Sequence, residues 1–343
     1  MESIYNLSLI DLENFLVSNN EKPFRAKQIF KWLYEKRISS FEEMSDISIS
    51  LQNILKNNFS IDLFKIVTKQ VSKDGTQKFL FELSDGCLVE SVLMIFEYGK
   101  SACVSSQVGC NMGCKFCASG LLKKQRDLTA GEIVCQVLMI QNELDKTNDR
   151  LGNIVVMGTG EPFDNYDNVM KAMSIINSPQ GLQIGSRHIS ISTCGVVPGI
   201  NKFSKENLQY NLAISLHAPN DELRNSLMPI NKAYPLNELF SALREYSSIN
   251  NRRLTFEYLL LSGINDSKEH ADQIKELLKG MNAYINLIPY NNVNENEFTT
   301  SSEENSLRFY DLLKKNGVAV TLRQKKGEDI DAACGQLRAN NLK

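Results

Sequence analysis

The stretch Ser101-Ala102-Cys103-Val104-Ser105-Ser106-Gln107-Val108-Gly109-Cys110-Asn111-Met112-Gly113-Cys114-Lys115-Phe116-Cys117 decides the fold, because it joins a run that reads as a β-strand to a tight loop carrying three thiols. The thiols are spaced C-x3-C-x2-C. A structural zinc site asks for four ligands, usually as two separated pairs. The three histidines, His188, His217 and His270, lie nowhere near this loop in sequence. Three thiolates in one loop suit a cubane iron–sulfur cluster with one iron left open. An open iron can chelate a small molecule through its amino and carboxylate groups. Gly109 and Gly113 let the loop close around a bulky inorganic core. Cys110, Cys114 and Cys117 are therefore the candidate metal ligands.

Toward the carboxyl terminus, strands and helices alternate. Thr129 and Glu132 form a capping box that opens a helix with Ile133, Val137, Ile140 and Leu144 on one face. The run Asn153–Met157 is a buried strand that ends in Gly158-Thr159-Gly160-Glu161-Pro162. RHISIST, YNLAISLH, RLTFEYLLL, AYINLIPY and VAVTLR follow as strands, with helices expected over 165–176, 236–248, 267–280 and 303–315. Repeated βα units predict an α/β fold with a parallel sheet and its chemistry at the carboxyl ends of the strands; about six units fit a partial barrel better than a closed one. A dinucleotide loop is excluded for Gly158–Pro162, because the third glycine of that pattern would fall at Phe163.

Toward the amino terminus, KFLFEL, the turn Ser84-Asp85-Gly86 and CLVESVLMIF form a hairpin pattern. Residues 1–60 read as short helices, with Phe24, Ile29, Trp32 and Leu33 as an apolar stripe. Lys22, Arg25, Lys27, Lys31, Lys36 and Arg37 face the single acid Glu35, as a solvated helix face or as a phosphate-contacting module. The expected division is a helical accessory domain over 1–62, a β-hairpin linker over 63–98, and a partial barrel with a C-terminal loop over 99–343. The chain has 343 residues, 42% hydrophobic and 23% charged, with 38 Lys+Arg against 40 Asp+Glu. That is ordinary globular composition, and a charge of -2 excludes a bulk polycation. No run approaches the ~18 apolar residues of a membrane helix, and the acidic start lacks the bases of a secretion signal. The expectation is a cytoplasmic protein with reduced thiols, in which a disulfide framework is out of place. Cys87 and Cys135 read as small buried hydrophobes.

Several segments acting together narrow the family. They are Ser101–Cys117, Gly158–Pro162, Ser215-Leu216-His217-Ala218-Pro219-Asn220, Leu227-Met228-Pro229-Ile230 and Gly327-Glu328-Asp329-Ile330-Asp331-Ala332-Ala333-Cys334-Gly335-Gln336-Leu337. Over essentially its whole length the chain resembles the RlmN/Cfr family of radical S-adenosylmethionine RNA adenosine methyltransferases. Pro162 after the Gly-Glu pair is as in the RlmN branch, whereas Cfr proteins usually carry Ala there; Thr159 replaces the commoner Met of both.

The resemblance implies a partial (β/α)6 radical-SAM barrel, a [4Fe-4S] cluster on Cys110, Cys114 and Cys117, and two S-adenosylmethionine molecules per turnover. It implies cofactor contacts from Gly160, Glu161, Ser192, Ser215, Leu216, His217 and Asn291. Carbon 2 of adenine is not nucleophilic, whereas a thiolate is. The family therefore implies that Cys334 takes a methyl group first and that its S-methyl carbon, made a radical, adds to the ring. Glu90 then matches the proton acceptor, and Cys103 resolves the protein–RNA bond through a transient disulfide with Cys334. Glu90 could equally sit on a solvated hairpin face, and His217 could be a satisfied core histidine. The implied partners are 23S ribosomal RNA, transfer RNA and a flavodoxin- or ferredoxin-type electron donor, with a monomeric enzyme and no membrane. Lys115, Lys123, Lys124 and Arg126, with Arg323, Lys325, Lys326, Arg338 and Lys343 against Glu328, Asp329 and Asp331, are candidate phosphate contacts. The target adenine must be unstacked to reach a buried cluster. Two readings stay open beside carbon 2 methylation. One is methylation at carbon 8 of the same ribosomal adenosine. The other is an iron–sulfur RNA-binding protein without methyl transfer.

Overall fold

The computed structural model describes residues 1–61, 63–121, 123–291, 297–323, 326–327, 329–330 and 337. Its main sheet contains β1 (Lys65–Val71), β2 (Gln77–Glu82), β3 (Leu88–Phe96), β4 (Gly99–Cys103), β5 (Leu151–Val156), β6 (Ile189–Thr193), β7 (Asn211–Ser215), β8 (Leu254–Leu260), β9 (Ala283–Pro289) and β10 (Val320–Leu322). Each strand lies beside its predecessor in the chain. β1 to β4 pair antiparallel, and β4 to β10 run parallel. Each of the six parallel junctions crosses over through helix: Ala130–Asp145, Tyr166–Asn177, Val197–Lys205, Asp221–Leu227 with Leu236–Asn250, Lys268–Leu278, and Glu303–Lys315. The six-unit partial barrel expected from the alternation is what forms. The expected hairpin forms and, with β1, extends the barrel sheet as three antiparallel strands.

Strand pairing sorts the side chains into two faces, because alternate residues point to opposite sides and paired residues share a side. One face carries Phe79, Phe81, Val89, Leu93, Ala102, Ile154, Ile191, Ile214, Phe256, Ile285 and Leu287, all buried in the main apolar core with the helices. The opposite face carries Lys78, Glu90, Cys103, Ser192, Ser215, Glu257 and Asn286, each linked to the next strand by register. A lumen this polar is a place for ligands rather than for packing.

The helix Ala130–Asp145 starts with the expected capping box: the Glu132 amide donates to Thr129 Oγ1 at 3.2 Å and the Thr129 amide to Glu132 Oε2 at 2.9 Å. The short helical turn Ile4–Asn6, ahead of the front helices Leu9–Ser18, Arg25–Phe30 and Ile49–Asn58, docks on this element. The Gly131 amide donates to Asn6 Oδ1 at 2.6 Å, and Arg37 pairs with Asp145 at 2.6 Å. Ile29 and Leu33 are buried as the stripe required, but Phe24 is 51% exposed. It sits ahead of the helix with the Arg25 guanidinium over its ring. Cys135 is buried, whereas Cys87 is only half-buried, its Sγ beside Gln125.

The strand read over Ser101–Val108 ends at Cys103. Ser105 leaves the ladder because the Ser105 amide donates to Gln136 Oε1 at 2.8 Å and its hydroxyl to the Glu90 carbonyl at 2.7 Å. Gln107–Val108 then pairs with Arg126–Asp127 across the mouth of the thiol loop.

Candidate functional site

The thiol loop is seated where β4 and β5 end. Gly109 and Gly113 take left-handed φ of 85° and 68°, as the tight turn demands. Cys110, Cys114 and Cys117 are partly buried and sense one another's charge. Burial, and after it the Cys117 thiolate, push the Cys110 thiol up to about 11, and burial pushes Cys114 up further. Cys110 and Cys114 therefore resist ionising on their own, and metal binding must take their protons. Among the described residues no three such side chains converge on one point as a mononuclear ion would need. The loop rests on its own apolar cushion of Ala118, Cys194, Ala218, Leu227, Met228, Leu261 and Tyr290, apart from the main core.

Gly158-Thr159-Gly160-Glu161 lies hard against the turn after β4. The Ser106 and Gln107 amides both donate to the Thr159 carbonyl, at 2.9 and 3.1 Å. Gly160 has φ +114°, and a Cβ there would stand 2.6 Å from Ser106 Oγ. Glu161 is buried; its Oε1 accepts the Phe163 amide at 3.0 Å and its Oε2 the Cys194 amide at 2.8 Å. Burial raises its pKa, and the two amides oppose that. The carboxylate is thus aimed by backbone beside the thiol loop, which suits an acid meant to meet a cationic amine.

Glu90 is 4% exposed, so the solvated-face reading does not hold. Its Oε2 stands 3.1 Å from Nζ of Lys78, which has no exposed surface at all. Val92, two residues along β3 from Glu90, pairs with Cys103. Burial pushes the Cys103 thiol up to about 11; the Arg323 and Lys78 cations pull it down and Glu90 pushes it up. Cys334 lies outside the described residues, as do Lys325, Glu328, Asp331, Arg338 and Lys343. The chain leading toward Cys334 is tied to the turn between β1 and β2. The Gly327 amide donates to Asp74 Oδ2 at 3.1 Å, the Lys73 amide to Asp329 Oδ2 at 3.1 Å, and Ser72 Oγ to Asp329 Oδ1.

On the far side of the lumen, Ser192 is buried on β6 and Ser215 half-buried at the end of β7. Leu216 is buried and uses its amide on the Glu257 carbonyl at 3.0 Å. His217 takes a left-handed φ of 53°. Its Nδ1 accepts the Leu259 amide at 3.0 Å, so the ring proton is on Nε2. Its ring meets Phe116 of the thiol loop edge-on at 4.8 Å. Burial and then the Arg224 cation hold its pKa down at about 3, so it is neutral. Asn291 is half-buried, two residues past β9.

Sequence reasoning missed three residues here. Arg224 is fully buried and donates to the carbonyls of Cys194 at 2.7 Å, Ser215 at 3.2 Å and Leu216 at 3.3 Å, and to Asn231 Oδ1 at 2.8 Å. Glu257 and Lys78 were also overlooked. The available signal was a charge in an apolar strand, Lys78 at the head of KFLFEL and Glu257 within LTFEYLL.

The basic surfaces differ from expectation. Lys124 is paired with Asp127 and Asp164, and Arg126 with Asp85 and Glu132, so neither is an uncompensated charge. On the front helices Lys22, Lys27, Lys31 and Lys36 are exposed, with exposed Phe24 among them. Among the described residues no helix is long and apolar enough to cross a membrane.

Comparison with known proteins gives this geometry its kin. Residues 3–61 match the ribosomal RNA large subunit methyltransferase N-terminal domain, and residues 104–278 match the radical SAM superfamily. The chain is 54% identical, over 100% of its length and 97% of the relative, to a probable dual-specificity RNA methyltransferase RlmN of Enterococcus faecalis. It is 53% identical to the protein of the same description in Geobacillus kaustophilus, over 100% and 94% of the two chains. A crystal structure of a radical SAM methyltransferase from Sphaerobacter thermophilus superposes with a TM-score of 0.94 at 40% identity, covering 98% of this chain and 99% of that one. Helical front module, polar-lumened partial barrel and three-thiol loop are accounted for together: the chain belongs to the RlmN family of radical SAM methyltransferases.

Proposed function

We propose that this protein methylates carbon 2 of adenosine in RNA, using S-adenosylmethionine and a [4Fe-4S] cluster, with 23S ribosomal RNA in the peptidyl-transferase centre and the transfer-RNA adenosine 3′ of the anticodon as substrates. One observation carries the reading: a single polar sheet face holds Glu90, Cys103, Ser192 and Ser215, with the loop of Cys110, Cys114 and Cys117 at its carboxyl end. When bound, the cluster and S-adenosylmethionine supply a methyl group and a 5′-deoxyadenosyl radical.

The chain's residues do the rest. Cys110, Cys114 and Cys117 hold three irons, and the backbone at Gly160, the Glu161 carboxylate, Ser192, Ser215, Leu216, His217 and Asn291 hold the cofactor. His217 is neutral and donates from Nε2, so it contributes a hydrogen bond without a charge. Cys334 carries the methyl group to the ring. Glu90 accepts the proton from the ring carbon, and Cys103 attacks the sulfur of Cys334 to free the product. The contacts of Lys326, Gly327 and Asp329 with the β1–β2 turn support a meeting of Cys334 with Cys103, because they hold these residues, a few positions before Cys334, on the turn beside β3. Lys22, Lys27, Lys31 and Lys36 with Phe24 make a surface for RNA phosphates and an unstacked base. Residues 1–62 then serve as the accessory RNA-binding domain, 63–98 as its connection and 99–343 as the catalytic barrel. The enzyme acts as a cytoplasmic monomer fed by a flavodoxin- or ferredoxin-type donor.

Anaerobic turnover on 23S RNA fragments with cofactor labelled in its methyl group tests this. Label at adenine carbon 2, and one methyl on Cys334 by intact mass before RNA is added, are expected. Label at carbon 8 alone, or an unmethylated Cys334, overturns it.

A further inference from the structure

The lumen holds a cation that the assigned chemistry leaves unused. Lys78 has no exposed surface, which is exceptional for lysine: an unpaired ammonium that deep would lose its charge. It lies on β2 with its Nζ 3.1 Å from Glu90 Oε2 on β3. The two are diagonal rather than directly opposite, since Leu80 pairs with Glu90 and Lys78 with Val92. Val92 pairs in turn with Cys103 on β4, so Lys78, Val92 and Cys103 form one row across three strands of the lumen face. The lysine therefore stands level with the thiol and reaches back one pleat to the carboxylate. Apolar neighbours on the same strand, Phe79 and Phe81, point the other way into the core and fix the register. A one-residue slip would bury Lys78 among those rings, so its lumen placement is specified by the fold.

Burying a carboxylate in a dry lumen is unfavourable unless a cation and hydrogen bonds compensate it. For Glu90 to take a proton it must not swing away from the reacting carbon. We propose that Lys78 is a positioning residue for the methylation: it pins Glu90 Oε2 and keeps the carboxylate aimed across the lumen beside Cys103. This deepens the function proposed above and rests on it. It adds no bond-making step. Its consequence is a division of the cycle: the methylation of Cys334 and attack on the ring need neither Glu90 nor Cys103, whereas resolution of the protein–RNA bond needs both.

The test compares wild type, Lys78→Met, Lys78→Arg and Glu90→Gln as reconstituted holoenzymes on a 23S RNA fragment. Three readouts are taken: methyl on Cys334 by intact mass, covalent protein–RNA species on a denaturing gel, and released methylated RNA. In Lys78→Met the Cys334 methyl is expected to be kept, release to fall roughly a hundredfold, the scale of a lost general base, and the covalent species to accumulate as in Glu90→Gln. Lys78→Arg is expected to recover most of the release. Release at the wild-type rate in Lys78→Met overturns the proposal. So does parallel loss of Cys334 methylation without accumulation of the covalent species, which marks a purely structural lysine. Absence of the Cys334 methyl in wild type overturns the underlying function and the proposal with it.

Discussion

His217 offers a quantitative test of the site's dryness. Its Nδ1 is occupied by the Leu259 amide at 3.0 Å and its ring is covered by Phe116. Burial first, and the Arg224 cation second, hold its pKa at about 3 against 6.5 for the unexposed reference state of the ring in water. The native protein therefore keeps a neutral imidazole while the unfolded chain takes up a proton below about pH 6.5. A folded value below the unfolded one means stability present above pH 6.5 and lost as pH falls toward about 3. At about 1.4 kcal/mol per pH unit, this one group removes about 2 kcal/mol between pH 6.5 and pH 5. The perturbation is His217→Asn, because asparagine tolerates the left-handed φ of 53° and its Oδ1 can accept the Leu259 amide. Urea unfolding of both proteins at pH 7, 6 and 5 is expected to show the stability gap between them shrinking by about 2 kcal/mol over that range. Parallel curves, or a native imidazole that titrates near its ordinary value by NMR, would refute the argument.

Four further outcomes are expected. Arg224→Met leaves three backbone carbonyls and Asn231 without their buried donor, and a loss of about 3 kcal/mol in thermal or urea unfolding is expected; under about 1 kcal/mol contradicts the network's role. Gly160→Ala places a Cβ 2.6 Å from Ser106 Oγ, and should weaken S-adenosylmethionine binding by equilibrium dialysis at unchanged iron content. Thr129→Ala removes half of the capping box and should cost about 1 kcal/mol of stability in urea titration. Lys27→Gln and Lys31→Gln should each flatten the salt dependence of RNA binding by about one unit of slope, measured by filter retention across salt concentrations.

Much of the scaffold was readable because its signals are local. The capping box at Thr129 and Glu132 involves residues three apart and formed as read. The thiol loop lies within eight residues, and its glycines adopt the φ that the turn needed. The strands betray themselves by apolar runs between turn signals. Readings that depended on distant partners fared worse. Lys124 and Arg126 looked like free cations because the run from Ser101 to Arg126 carries no acid, yet Asp127 just beyond it, and Asp164 and Asp85 from other elements, reach them. Phe24 fitted a helical stripe by spacing, but the helix begins after it.

The order of residues along the chain settled which chemistry was available: three thiols at cluster spacing, glycines before an acid, and two further cysteines far apart. Where those groups stand was left to long-range pairing. Alternation tells that Glu90 and Val89 point opposite ways, but only the addition of β1 to β4 onto the parallel sheet makes Glu90's side the lumen and brings Lys78 to it. Burial of a charge depends on what closes over it, and that information resides in strands and helices tens to hundreds of residues away.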